Sequence, residues 1–314
     1  MIPDWPRAWD GEPATGRIRS EPDDFQVFEI PSFTPTGEGE HLLVHVEKVN
    51  LTTTDLVAHL AATHGIADTG IGYAGMKDKR ARTRQWLSLP VADYCASPVC
   101  TADGAEFQVL QMHRHQRKLR RGDLLGNRFD IRVRAVGKMA ALLAGLEAVT
   151  RTGVPNYFGA QRFGRSNIED AVRWLGVRRR RRVSRFQQGL YLSVLRSLLF
   201  NEVLAARVRA GNWDKAIPGD VMAAGYPTGP LWGRGRSGST REAVAIENSV
   251  LDAHRAICEG LEFSGVVQGR RSLVLMPDRL RWEVLADDEL RLSFGLPAGG
   301  YATTLLSELL ELQT

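Results

Sequence analysis

"GYAGMKDKRARTRQWLSL", residues 72–89, sets one acid, Asp78, among five bases. Lys77, Lys79, Arg80, Arg82 and Arg84 all lie within seven residues of it. The apolar flanks "IGYAG" and "QWLSL" read as short strands, so the charges fall on the loop joining them. Three roles are open to such an acid. It is an ordinary partner for a neighbouring cation, a metal ligand, or a nucleophile or base kept in its carboxylate form by the surrounding charge. No second carboxylate or histidine stands near it in sequence, which weakens the metal reading. Spacing alone does not decide among the rest.

The segments on either side alternate between strand and helix patterns. "EHLLVHVEK" (40–48) alternates as a half-buried strand does. "TTTDLVAHLAATHG" follows with capping threonines, an apolar stripe at Leu56, Val57, Leu60 and Ala61, and a stop at Gly65. "FDIRVRAV" (129–136) alternates again, and "KMAALLAGLEAVTRTG" reads as a helix ending at Gly153. Past Pro155 the pattern turns helical. "SNIEDAVRWLG" opens with a capping box from Ser166 to Glu169, and "QQGLYLSVLRSLLFNEVLAARVRAG" is one long amphipathic helix ended by Gly211. Residues 219–240 are rich in Gly and Pro and read as mostly loop. Strands return at "LRWEVLA" and "ELRLSFGL", and "ATTLLSELLEL" closes as a helix. A helical segment between strand-rich ones suggests an insertion into an α+β sheet domain.

Composition narrows the function classes. The 314 residues are 43% hydrophobic and 25% charged, enough for one large domain or two ordinary ones. No apolar run reads as a membrane span, and "MIPDWPRAWDGEP" has no signal-peptide core, so the expected setting is the cytoplasm with no membrane partner. Cys95, Cys100 and Cys258 form no CxxC pair, which argues against a disulfide framework or zinc site. The formal charge is +5, and it is unevenly spread. Residues 113–134 carry eight Lys or Arg against two acids, and residues 151–185 ten Arg against two acids, whereas 246–314 carry eleven acids against six Arg. A concentrated basic field favours phosphate; a solvated face is the alternative. GxxxxGK[ST], HExxH and GxSxG are absent, and "GRGRSGS" (233–239) lacks a strand-to-helix context. Nucleoside triphosphates and nicotinamide cofactors are not indicated; a methyl-donor site is not excluded.

Five motifs then resemble those of one family. "GYAGMKDKRARTRQW" resembles the A-G-x-K-D-x-x-A-x-T-x-Q-W signature of the TruD family of tRNA pseudouridine synthases. "PDDFQVFEIPSFTPTGEGEHLLVHVEK", "RHQRKLRRGDLLGNRF", "GVPNYFGAQRFG" and "LPAGGYATTLLSEL" resemble its other blocks, in the family's order. The resemblance implies a pseudouridine synthase catalytic domain with a central mixed, largely antiparallel sheet (1–152 plus 276–314), interrupted by a TRUD-type insertion (153–275). It implies isomerisation of uridine 13 in the tRNA D-arm without cofactor or metal. Asp78 matches the catalytic aspartate, with tRNA as partner, no protein partner, and a monomer as the default.

The remaining site residues follow from the same matches. Arg19 stands where the family usually has Lys and would pair with Asp78, with an ordinary phosphate contact as the alternative. Phe25, Asn127 and Phe129 match positions around the target nucleotide, each with core or turn packing as the alternative. Tyr301 aligns with a family Phe against the target base and adds a hydroxyl that needs a partner. Lys77, Lys79, Arg80, Arg117, Lys118, Arg120, Arg121 and Arg162 are expected at the RNA backbone. Asn156, Tyr157, Phe158, Gln161, Arg162 and Phe163 look like a folding motif, with Gln161 and Arg162 also candidates for RNA contact, and the Arg178–Arg182 run is expected to meet tRNA phosphates or solvent. An RNA-binding protein of this fold without turnover is the alternative function.

Overall fold

The computed structural model describes residues 3–94, 104–164, 167–176 and 183–313. The Arg178–Arg182 run and Ser166 lie outside them. The chain forms two compact units. A sheet unit comprises Ala14–Leu143, Pro277–Gly300 and Leu310–Thr314, and a helical unit comprises Met1–Pro13, Ala144–Met276 and Tyr301–Leu309. The unit boundary at Leu143/Ala144 falls inside helix Met139–Thr152, ahead of the expected change-over at 153, and the short stretches 1–13 and 301–309 also group with the helical unit.

Along the sheet unit come β1 (Ala14–Arg17), β2 (Phe25–Pro31), β3 (His41–Val49), α1 (Thr53–His64), β4 (Gly72–Tyr73), β5 (Arg82–Leu89), β6 (Glu106–His115) and β7 (Leu124–Gly137). The Thr52 side chain caps α1 by accepting from the Asp55 amide, and Gly65 ends it in the left-handed region at φ 63°. The stripe Leu56, Val57, Leu60 and Ala61 is buried with Val44, Val46, Leu87 and Leu89 of the sheet. Then α2 (Met139–Thr152) leads into the second unit.

The helical unit holds β8 (Val154–Pro155), α3 (Ala160–Phe163), α4 (Asn167–Gly176), α5 (Arg185–Arg209), β9 (Met222–Ala223), β10 (Tyr226–Leu231), α6 (Arg241–Leu251), α7 (Arg255–Phe263), β11 (Gly269–Ser272) and β12 (Val274–Leu275). By length and composition α5 reaches the size of a membrane span, contrary to the sequence reading. Yet 61% of its apolar stretch is buried within the protein. Buried Asn201 on α5 accepts from the Phe158 amide and donates to the Phe158 carbonyl, both at 2.9 Å, tying "NYFG" to this helix. The expected loop at 219–240 contains β10, which pairs with β11. Its glycine reflects close packing: a Cβ on Gly229 would stand 2.8 Å from Leu273 and 3.1 Å from the Phe200 ring. In "GRGRSGS", Ser237 and Ser239 both donate to buried Glu247, which also pairs with Arg270 at 2.6 Å.

The chain then supplies β13 (Asp278–Ala286), β14 (Glu289–Pro297), α8 (Ala302–Leu309) and β15 (Leu310–Leu312). The mixed sheet runs β13-β14-β7-β2-β5-β3-β6, with β2 parallel to β5 and the other neighbours on this path antiparallel. Helix α8 stops three residues before the expected end because Leu310–Leu312 pair in parallel with Ala14–Gly16. The long strand β7 sets the register that matters. Asn127 lies opposite Glu29 and Leu296, and Phe129 opposite Val27 and Phe294. Cross-strand partners share a face, so Phe25, Glu29, Asn127, Phe129 and Phe294 all lie on one side.

Candidate active site

The loop between β4 and β5 is anchored from below. The Lys77 ammonium donates to Glu29 Oε2 at 2.7 Å, with both side chains buried, and Glu29 Oε1 accepts from the Trp86 amide at 3.1 Å. The Lys77 amide donates to Thr53 Oγ1 at 2.9 Å, and that hydroxyl donates to Gln85. The Asp78 carbonyl accepts from buried Lys48 at 2.9 Å. Ala74 and Ala81 close the two ends inside the core. With these groups turned inward, Met76, Asp78, Lys79 and Arg80 are left exposed.

The Asp78 carboxylate meets one cation directly. Arg19 Nη2 donates to Asp78 Oδ2 at 2.6 Å, with side-chain exposures of 28% and 48%. Arg19 has φ 62°, in the left-handed region, at the turn between β1 and β2. Its guanidinium lies 4.0 Å over the Phe25 ring. Beneath, Phe25 meets Phe129 edge-on at 6.2 Å, and Phe129 stacks on Phe294 at 5.4 Å. Asn127, half-buried on the same face, has its Oδ1 shielded from solvent and without a hydrogen-bond partner. An exposed ion pair of this kind contributes at most about 1 kcal/mol to stability. A carboxylate, its counter-cation, an aromatic floor and an unsatisfied amide oxygen thus share one face of the sheet unit.

Several sequence expectations change in this setting. Lys77 is 8% exposed and bound to Glu29, so it is an internal anchor and not a phosphate contact. Arg82 bonds Asp23 and Glu47, and Arg84 bonds Glu47 at 2.6 Å. Burial raises the Glu47 carboxyl, but the hydrogen bonds from Arg84 and Arg82 outweigh it and hold the group below its ordinary range. Three of the five bases near Asp78 in sequence are therefore spent on other acids. Phe25 and Phe129 are 1% and 6% exposed; they floor the site, and Arg19 covers Phe25.

Of the other expected RNA contacts, Arg117 is paired with Asp123 at 2.8 Å, Lys118 donates to the Thr69 carbonyl, and Arg121 donates to the Tyr73 hydroxyl at 2.7 Å. Lys79, Arg80 and Arg120 are exposed. Tyr301 and Arg162 belong to the helical unit, where Arg162 Nη2 donates to the Tyr301 hydroxyl at 3.4 Å. The sequence reading passed over Lys48, Glu29, Thr53 and Gln85. Lys48 carried a signal: it falls on the apolar face set by Leu42, Val44 and Val46.

Comparison with known proteins follows the same lines. The family model described as tRNA pseudouridine synthase D (TruD) matches residues 6–172. The chain is 40% identical to tRNA pseudouridine synthase D of Methylococcus capsulatus, over 98% of this chain and 94% of that one. It is 42% identical to the protein of the same name from Cellvibrio japonicus, over 98% and 93%. A crystal structure from Methanosarcina mazei, of a protein assigned to tRNA pseudouridine synthase D, superposes with a TM-score of 0.69. It shares 22% identity and covers 96% of this chain and 95% of that one, so it speaks to the fold.

Proposed function

The chain belongs to the tRNA pseudouridine synthase D family, and we propose that it isomerises uridine to pseudouridine at position 13 of the tRNA D-arm with Asp78 as the catalytic carboxylate. The observation that carries this reading is the placement of Asp78. The Lys77 side chain and the Asp78 carbonyl are held from inside by Glu29 and Lys48, while the Asp78 carboxylate projects to the surface against Arg19.

Pseudouridine formation breaks the N1–C1′ bond, turns the uracil, joins C5 to C1′, releases the C5 proton and leaves N1 to take one up. No electron is lost and no group is imported, so the required groups are ones that move protons or stabilise charge. A carboxylate at Asp78 can attack C1′ or withdraw a proton from ribose or base. Arg19 offsets the repulsion between that carboxylate and the RNA backbone. The unsatisfied Asn127 Oδ1 is suited to accept the uracil N3–H, and a flipped base can stack on the Arg19 guanidinium plane. Extrusion of the uridine costs about a few kcal/mol, and a base stack returns roughly 1–3 kcal/mol.

The test is tritium release from [5-³H]uridine-labelled, unmodified tRNA, with binding measured in parallel. Wild type releases tritium, and Asp78→Asn binds with similar affinity and releases none. Turnover by Asp78→Asn would remove the proposed role.

A further inference from the structure

Lys48 is the least expected side chain beneath the site. It sits near the end of β3, is 0% exposed, and points to the face that β3 otherwise fills with Leu42, Val44 and Val46. Its ammonium donates to two backbone carbonyls, those of Leu51 and of Asp78 itself. Among the described residues no carboxylate lies within ion-pair distance of it. The charged groups that face it are Asp78 and Lys77 from the loop and Asp55 from α1. A buried ammonium without an ion-pair partner carries an uncompensated desolvation penalty, which an apolar residue of similar volume would avoid. Glu29, Thr53 and Gln85 already anchor the Lys77 side of the loop. Lys48 alone among these side chains bonds the Asp78 peptide group.

We propose that Lys48 is a positioning residue for Asp78, its protonated amine fixing the Asp78 peptide so that the carboxylate stands at the reacting sugar. The proposal rests on the reading of Asp78 as the catalytic carboxylate. Charge-assisted hydrogen bonds are roughly twice as strong as neutral ones. Loss of the proton leaves an amine whose two N–H groups can still reach the two carbonyls, but without the charge that strengthens those bonds. Burial lowers the Lys48 pKa to about 8, with Asp78 opposing the shift, Lys77 adding to it and Asp55 opposing it. The bond that holds Asp78 therefore weakens within the mildly alkaline range.

The experiment measures single-turnover pseudouridine formation at saturating enzyme from pH 6.5 to 9.5, with tRNA affinity measured separately. Wild type, Lys48→Met, Lys48→Gln and Asp78→Asn are compared, and thermal melting confirms that each is folded. Misplacement of a reacting group by about 1 Å costs about 100-fold. Lys48→Met is therefore expected to lose about 10- to 100-fold in rate with affinity changed less than about twofold. Wild type should slow above about pH 8, following the Lys48 amine. Lys48→Gln, which keeps a neutral donor, should show an intermediate rate without that alkaline limb.

A folded Lys48→Met enzyme with the wild-type rate, or an alkaline limb that persists in Lys48→Gln, would overturn the proposal. Should Lys48→Met not fold, the wild-type profile and Lys48→Gln still decide: a wild-type rate flat to pH 9.5 would also overturn it. Inactive Asp78→Asn beside normal Lys48 variants would reject Lys48 alone. Turnover by Asp78→Asn would reject the reading beneath it as well.

Discussion

Two ion pairs in the signature loop illustrate opposite uses of charge. Arg19–Asp78 is half-exposed and contributes little to stability, so its 2.6 Å geometry matters for what the carboxylate can do. Lys77–Glu29 is buried on both sides and holds the loop. Removing one partner of a buried pair leaves an uncompensated charge and typically costs about 3–5 kcal/mol. Lys77→Met is therefore expected to lower the unfolding free energy by that amount, measured by urea titration. A loss below about 1 kcal/mol would mean that water or another cation reaches Glu29. At this scale the sequence was partly legible. The family motif pointed to Asp78, and Arg19 was expected beside it. The inward turn of Lys77 was hidden, because a run of charges looks the same whether its members face solvent or a buried acid one strand away. Lys48 was visible as a break in the apolar parity of β3.

Elements were legible where one period dominates. Helix α1 has its cap, stripe and glycine stop in the expected places because local rules and burial agree. Strand β10 was not legible, since Pro227, Gly229 and Pro230 are loop signals in isolation and become strand residues only against β11 and α5. The end of α8 turned on a distant partner, β1. Within the helical unit, Glu308 of α8 is buried and accepts from the Ala8 amide at 2.9 Å. Burial raises its pKa to about 7, and the Ala8 hydrogen bond and Arg7 oppose this only in part. Between the ordinary carboxyl range and about pH 7 the folded state thus binds more protons than the unfolded one. This group's contribution to stability therefore falls as pH rises through that window. Glu308→Gln should raise the unfolding free energy at pH 8, by at most about 3 kcal/mol, and change it little at pH 5. Equal destabilisation at both pH values would contradict the assignment.

At the scale of the whole chain, sheet and helical segments were separable in sequence because their apolar periods differ. Unit membership was less legible, because residues 1–13 and 301–309 are too short to announce which core they join. The net charge of +5 and its concentration in the middle of the chain imply binding led by phosphate contacts. Each neutralised phosphate adds about −0.7 to −0.9 to the slope of log affinity against log salt. Binding of tRNA should therefore weaken steeply between low and moderate salt, while the single-turnover rate at saturating enzyme stays within about twofold. Filter binding and rapid quench over the same salt series check both. A chemical step as salt-sensitive as binding would mean that the basic surface acts in catalysis and not only in capture.

The most direct test maps the product. An unmodified tRNA carrying uridine at position 13 is treated with wild type or Asp78→Asn, derivatised with carbodiimide and read by primer extension. The account predicts a stop at position 13 with wild type and none with Asp78→Asn. Stops confined to other positions, or a stop at position 13 made by Asp78→Asn, would contradict it.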